Sequence, residues 1–190
     1  MARHQRISKG KTIRPTFFVF CEGETEEAYI GLLKRLYRIP VEISSKIAGN
    51  RITRKYILNT LQSKPSDPKD KIFLLYDLDV PEMLEKLLAI PDTILLASNP
   101  CFELWYILHY QHQSHTISSV ECIVKFEKMC SEYKKGKISF SLGVKLNEQR
   151  IKAIERAKKL IPYENPSATV YLLIEELEKA GQKDSSTSPL

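Results

Sequence analysis

A chain of 190 residues with 43% hydrophobic content is long enough to bury a core and short enough to be a single domain with appendages. It contains no run of ~18 to 20 uninterrupted apolar residues and opens on no apolar leader region, so it is expected to be soluble and cytoplasmic, without membrane contact. The net charge of +6 is moderate, which excludes the strongly acidic or basic classes and shifts attention to where the charge lies.

The first part, residues 1–15, carries Arg3, Arg6, Lys9, Lys11 and Arg14 with no acid and no periodicity, and reads as a basic flexible arm. From Thr16 the pattern changes abruptly. Phe17 to Cys21 is an unbroken apolar run of the kind that a parallel strand buried on both faces requires, and it ends at Glu22-Gly23. Tyr29, Leu32, Leu33 and Leu36 follow at helical spacing, predicting a helix from about Thr25 to Tyr37. Val41 to Ile47 reads as a strand, Arg51 to Leu61 as a helix, and Lys64 to Asp70 as a loop. Ile72 to Tyr76 is a second buried-type strand, running directly into Asp77-Leu78-Asp79. A short helix over Met83 to Ile90 and a strand over Thr93 to Ala97 complete an alternation that implies βαβ crossovers and a mostly parallel sheet.

Beyond Ser98 the pattern becomes helical. Asn99-Pro100 and Asn165-Pro166 each read as a cap followed by a proline suited to a first helical position, and Gly181 as the stop of the last helix. Further helices are expected over about Val120 to Tyr133 and Asn147 to Ile161. The chain thus divides into the arm (1–15), an α/β core (16–98), a helical extension packed on that core (99–181) and a Ser-rich disordered tail (182–190).

In an open α/β sheet, ligands bind outside the carboxyl ends of the strands. Two predicted strands end there in acids: Glu22 after the first, Asp77 and Asp79 after the third. The period of two sends both aspartates to one side. If the strands are neighbours, three carboxylates converge, and their repulsion calls for a hard divalent cation such as magnesium, with manganese as a substitute. Glu26, one helical turn beyond Glu22, either joins that metal or complements the positive helix end. Gly23 permits the tight bend and a close phosphate approach.

Other candidates carry weaker signals. Glu103 is read first as a helix-dipole complement and second as an outer carboxylate, and Asn99 first as a cap and second as a substrate contact. Lys152, Arg156 and Lys159 share one helical face suited to a phosphate backbone. They fall in a segment, Lys134 to Lys159, with nine Lys or Arg against two Glu; with the arm, this fits a nucleic-acid partner, while each segment taken alone is equally a solvated surface. His109, His112 and His115 lack the cysteine or acid partners of a zinc site and read as a polar helix end. Trp105 and Tyr106 are assigned to core and rim. The four cysteines show no C-x-x-C pairing and are expected reduced and structural.

The segments Val19 to Glu27 and Tyr76-Asp77-Leu78-Asp79 resemble the topoisomerase-primase (toprim) signature. Ser98 to Trp105, Tyr133-Lys134-Lys135 and Asn165 to Thr169 resemble more specifically the RloB-like branch, also grouped with abortive-infection proteins, over roughly Thr16 to Leu177. The resemblance implies a compact toprim fold, a glutamate acting near the scissile phosphate (Glu22, as general base or ligand) and two aspartates holding magnesium (Asp77 and Asp79). It also implies a nuclease acting on DNA or RNA in phage defence beside a separate ATPase, since the chain carries no P-loop of its own. The middle residue of D-x-D departs from the family's usual polar residue: here it is Leu78. A non-catalytic module that binds nucleic acid or the ATPase is the alternative, and self-association into a homo-oligomer stays open. Primase and topoisomerase activities are disfavoured because no second catalytic domain is evident.

Overall fold

The computed structural model describes residues 15–37, 42–64 and 66–185. The basic arm through Arg14, Val41 of the second expected strand and residues 186–190 of the tail lie outside the described residues. Four strands, β1 (Thr16–Cys21), β2 (Glu42–Ile47), β3 (Lys71–Asp77) and β4 (Ile94–Asn99), run parallel. A two-residue strand, β5 (Ser167–Ala168), pairs antiparallel with β4, giving the order β2-β1-β3-β4-β5. The flanking helices are α1 (Glu24–Leu36), α2 (Arg54–Leu61), α3 (Pro81–Leu88), α4 (Glu103–Tyr110), α5 (Ser119–Met129), α6 (Phe140–Glu148), α7 (Arg150–Ala157) and α8 (Tyr171–Ser185). This is the α/β architecture the alternation predicts, and it is consistent with a toprim-like fold. No helix among the described residues is long and apolar enough to cross a membrane.

The strands β1 and β3 lie inside the sheet and are covered on both faces, which is why their sequences are continuous apolar runs rather than alternating ones. Side-chain parity then sorts two cores. Phe17, Val19, Cys21, Phe73 and Leu75 face one layer, with α1, α4, α5, α6, α7 and α8. Phe18, Phe20, Leu74, Tyr76 and Leu78 face the other, with α2 and α3. Leu78 is buried in that second core, so the apolar middle of D-x-D is a packing residue pointing away from Asp77 and Asp79.

The segment beyond residue 99 does not merely cover a finished core. Its Trp105, Phe126, Leu142, Ala153 and Leu173 belong to the same cluster as Phe17 and Val19, and β5 is a strand of the same sheet. Thr169 fastens that strand: its N–H donates to the Ala97 carbonyl at 2.8 Å, and its Oγ1 accepts from the Ala97 N–H at 2.8 Å. Trp105 and Tyr106 are both fully buried, so Tyr106 is core rather than rim. His109 is buried within α4 and bonded through Nδ1 to the Trp105 carbonyl at 2.8 Å; burial lowers its pKa to about 4. All four cysteines are buried free thiols.

Three boundary expectations are corrected. Neither Asn-Pro pair starts a helix: both bonds are cis, Asn99 is the last residue of β4, and α4 begins at Glu103 without a side-chain cap. The Asn99 amide is committed to the Tyr163 carbonyl at 2.9 Å, and Asn165 bonds the Ile117 N–H and carbonyl at 3.1 and 2.9 Å, so both asparagines brace loops instead. The helix α8 starts at Tyr171 and runs through Gly181 to Ser185; the ~1 kcal/mol penalty of a helical glycine is too small to end a helix anchored by Leu173, Ile174 and Leu177. The helix expected over 147–161 is the shorter α7, and a helix that was not expected, α6, precedes it; its start signal is Ser139, whose Oγ accepts from the Leu142 N–H at 3.2 Å.

A shared core predicts one cooperative unit. Fluorescence of Trp105, the single tryptophan, and far-UV circular dichroism are expected to give coincident denaturant midpoints, and Phe126→Ala on α5 to lower the unfolding free energy read by both by ~3 to 5 kcal/mol. Separate transitions would make the helical extension an independent unit.

Candidate active site

The site follows from the register of two strands. Cys21 of β1 pairs with Leu75 of β3, so both chains reach the carboxyl edge of the sheet together and Glu22 arrives beside Asp77. The Glu22 N–H donates to the Leu75 carbonyl at 3.0 Å, and its side chain turns across: Oε2 accepts from the Asp77 N–H at 2.9 Å. Burial raises the Glu22 pKa; the Asp77 amide and Lys135 draw it down, and Asp79 pushes it up.

Asp77 shares its parity with Phe73 and Leu75 and therefore faces the layer that holds α1 and α4. That layer contributes two further acids, both buried. Glu26 in the first turn of α1 accepts from the Gly23 N–H through Oε2 at 2.9 Å. A Cβ on Gly23 would stand 3.3 Å from that same oxygen, so a side chain there would press on the Glu26 carboxylate. Glu103, at the start of α4, accepts from the Tyr133 hydroxyl through Oε1 at 2.6 Å. Asp77 Oδ1 is buried and has no hydrogen-bond partner. Its carboxyl is pushed well up by burial and then by Glu26, Glu22, Glu103 and Asp79, while burial foremost raises Glu26 to about 7.

Glu22, Asp77, Asp79, Glu26 and Glu103 are thus brought into one electrostatic neighbourhood, with Asp79 exposed at its mouth. Glu26 and Glu103 occupy first turns, so the dipole role holds for both, and each also bears on Asp77. Asn99 reaches Tyr163 rather than the acids. Lys152 and Lys159 are exposed, and no hydrogen bond or ion pair among the described residues ties them to the carboxylates. Arg156 donates through Nη1 to the Leu108 carbonyl at 2.6 Å, near the far end of α4.

Magnesium is the ion such a donor set suits. Among the described residues no group of three or more His, Cys, Asp or Glu side chains is arranged to hold a metal ion. Magnesium does not need one, because it keeps several waters and is held by one or two carboxylates together with substrate phosphate. A buried, unpartnered carboxylate oxygen on Asp77, among acids that raise one another's pKa, fits that requirement.

Residue-by-residue reading passed over the turn that closes the site. Residues 133–137 reach it through the Tyr133–Glu103 bond and through the Gly136 N–H, which donates to Thr25 Oγ1 at 3.2 Å. In the sequence Tyr133-Lys134-Lys135 stands out only as a family motif and the lysines as part of a basic stretch; the glycine inside Lys134-Lys135-Gly136-Lys137 is the available signal for a turn.

A mostly parallel α/β domain with acids gathered at the carboxyl ends of its two central strands defines the class. Within it, residues 17–177 match the family model of the RloB-like protein, and the chain belongs to that family. Comparison with curated proteins and with solved structures returned no match.

The cluster has a pH signature in metal-free protein. Glu26 keeps its proton in the native state up to about pH 7, whereas an unfolded glutamate loses it near 4.5, so this group's contribution is greatest below 4.5 and is lost as pH rises towards 7. Glu26→Gln should therefore gain on wild type across that window by up to ~3 kcal/mol in chemical denaturation with EDTA present. A constant difference from pH 4 to 8 would show Glu26 ionising as an ordinary surface glutamate.

Proposed function

We propose that this chain is a magnesium-dependent nuclease that hydrolyses phosphodiester bonds of DNA or RNA, with Glu22, Asp77 and Asp79 as its central residues. The observation that carries the reading is the bare, buried Oδ1 of Asp77 amid Glu22, Glu26 and Glu103. A structural cluster has no use for an acceptor without a donor, and a ligand-binding one does. Asp77 and Asp79 would hold the cation, and Glu22 is either a further ligand or the general base. Bound magnesium supplies charge neutralisation to a phosphate in the site. Manganese offers the same hard-oxygen chemistry.

The protein's own contribution is orientation and proton transfer. Glu22 is held at one oxygen by the Asp77 amide, which leaves the rest of the carboxylate to take a proton from an attacking water. Burial raises its pKa towards the range in which a base both accepts and releases a proton near neutrality. The water oxygen bonds to phosphorus as the bond from phosphorus to the leaving oxygen breaks; one water proton passes to Glu22, and the leaving oxygen takes a proton from solvent. The family resemblance extends the reading to phage defence beside a separate ATPase. A second reading, a non-catalytic module binding nucleic acid or that ATPase, is favoured by the lack of a preassembled three-donor site among the described residues.

Glu22→Gln separates the two. The amide still accepts from the Asp77 N–H but carries no charge and takes no proton near neutrality. Nucleic-acid affinity, measured by anisotropy, should stay within a few fold, while single-turnover cleavage with magnesium or manganese falls ~100-fold to 10,000-fold. Cleavage close to wild type would remove Glu22 from the chemistry. Undetectable cleavage by wild type on DNA and RNA, with an ATPase supplied, would favour the binding module.

A further inference from the structure

The turn over residues 133–137 is fastened to the acid cluster at two points and carries unpaired positive charge between them. Lys134 and Lys137 close it by an antiparallel bridge, with the Lys137 N–H donating to the Lys134 carbonyl at 3.0 Å. On one side the Tyr133 hydroxyl donates to Glu103 Oε1 at 2.6 Å. On the other the Gly136 N–H donates to Oγ1 of buried Thr25 at 3.2 Å, two residues from Gly23. Gly136 has φ +74°, and a Cβ there would stand 3.0 Å from both Cβ and Oε2 of Glu24, so any L-residue strains the turn and pushes it off α1. The anchors are thus the first turns of α1 and α4, the two helices that bring Glu26 and Glu103 to Asp77.

Between those anchors Lys135 stands exposed within the turn that the Lys134–Lys137 bridge closes, and its charge acts on Glu22 as the smallest of the influences on that carboxyl. Other lysines of the chain are used in ion pairs: Lys71 with Glu176, Lys158 with Glu175 and Lys179 with Glu176. Among the described residues Lys134, Lys135 and Lys137 form none. A cluster of carboxylates repels a polyanion, so a phosphate entering it needs a cation placed beside the acids and not spent on them.

We propose that Lys135 is the cationic substrate contact of this site, its ammonium binding a non-bridging oxygen of the nucleic-acid phosphate next to Glu22, with Tyr133, Gly136 and Thr25 as positioning residues. The assignment rests on the nuclease reading for the identity of the phosphate. The ordinary alternative is a solvated lysine run, in which Lys134, Lys135 and Lys137 are interchangeable.

The test compares Lys135→Ala, Lys135→Arg, Lys134→Ala and Gly136→Ala on labelled DNA and RNA oligonucleotides. It reads single-turnover cleavage with magnesium, and anisotropy across a salt series with calcium in its place. Lys135→Ala is expected to lose ~100-fold in cleavage and to flatten the salt slope by ~0.7 to 0.9, one phosphate contact. Lys135→Arg should restore most of both, Lys134→Ala should stay within about threefold of wild type, and Gly136→Ala should reproduce Lys135→Ala by undocking the turn. If Glu22→Gln abolishes cleavage while Lys135→Ala cleaves and binds like wild type, the nuclease reading stands and this proposal falls. The proposal also falls if Lys134→Ala and Lys135→Ala are equivalent. If wild type binds but does not cleave, the nuclease reading fails and the salt slopes alone decide: a slope lowered only at Lys135 supports the contact, and an unchanged one overturns it. Wild type that binds no oligonucleotide overturns both. Lys135 is exposed, so its variants should fold, and matching thermal unfolding confirms that the comparison reads the contact.

Discussion

The hydrogen bond from the Asp77 amide to the Glu22 carboxylate is the interaction around which the rest of the site is arranged. It exists because β1 and β3, separated in sequence by a strand and two crossover helices, are parallel neighbours in register, Cys21 beside Leu75. Parallel neighbours end on the same edge. Each strand therefore delivers its following residue to the same place, and parity decides what each residue faces. Asp77 turns towards α1 and α4, Leu78 into the opposite core, and Asp79 into solvent. Slipping β3 by one residue would bury Asp77 among Tyr76 and Leu74's neighbours and turn Leu78 to the acids, so the apolar cores on both faces hold the register that the site depends on.

The acids are held in unequal ways, and the inequality is informative. Glu22 has a backbone amide, Glu26 has the Gly23 amide, and Glu103 has the Tyr133 hydroxyl. Each of those bonds satisfies one buried oxygen and leaves its charge facing the others. Among these acids only Asp77 has a buried oxygen, Oδ1, with no hydrogen-bond partner. Relief comes either from protons, which is what the raised pKa values of Glu22, Glu26 and Asp77 express, or from a cation. On the proposed nuclease reading, one magnesium ion would do what otherwise takes several protons, and the site's acidity would become a reason for metal affinity.

Much of this was legible in the sequence because the signals were local. A buried parallel strand announces itself as an apolar run, and an acid just after such a run lies at the carboxyl edge, so Glu22, Asp77 and Asp79 could be placed before any coordinates. What could not be read depends on contacts between distant segments. Nothing near Asn99 signals that its amide serves Tyr163, 64 residues on, and the same pattern that elsewhere caps a helix here closes a strand. Gly181 carries a stop signal that tertiary packing of α8 overrides. Of the expected helical stripe, Lys152 and Arg156 lie on α7, which ends at Ala157 before Lys159, and Arg156 serves the Leu108 carbonyl; periodicity shows neither where a helix stops nor what lies opposite a face. The place of the 133–137 turn is illegible for the same reason: its role comes from Thr25, 111 residues before Gly136, and from Glu103, 30 residues before Tyr133.

The helical segment after β4 consequently has two functions that cannot be separated. Its Phe126 packs at a ring distance of 4.8 Å from Tyr133 and 5.2 Å from Tyr106, so the aromatic core of the extension is what orients the tyrosine that reaches Glu103. Tyr133 in turn fixes one end of the basic turn, whose other end rests on Thr25 in the first turn of α1. The core that stabilises the extension therefore also sets where Lys135 stands relative to Glu22. A loosened core there would displace the cation before it displaced the acids, since Glu22 and Asp77 are held by the sheet and Lys135 is held only by what the extension packs against.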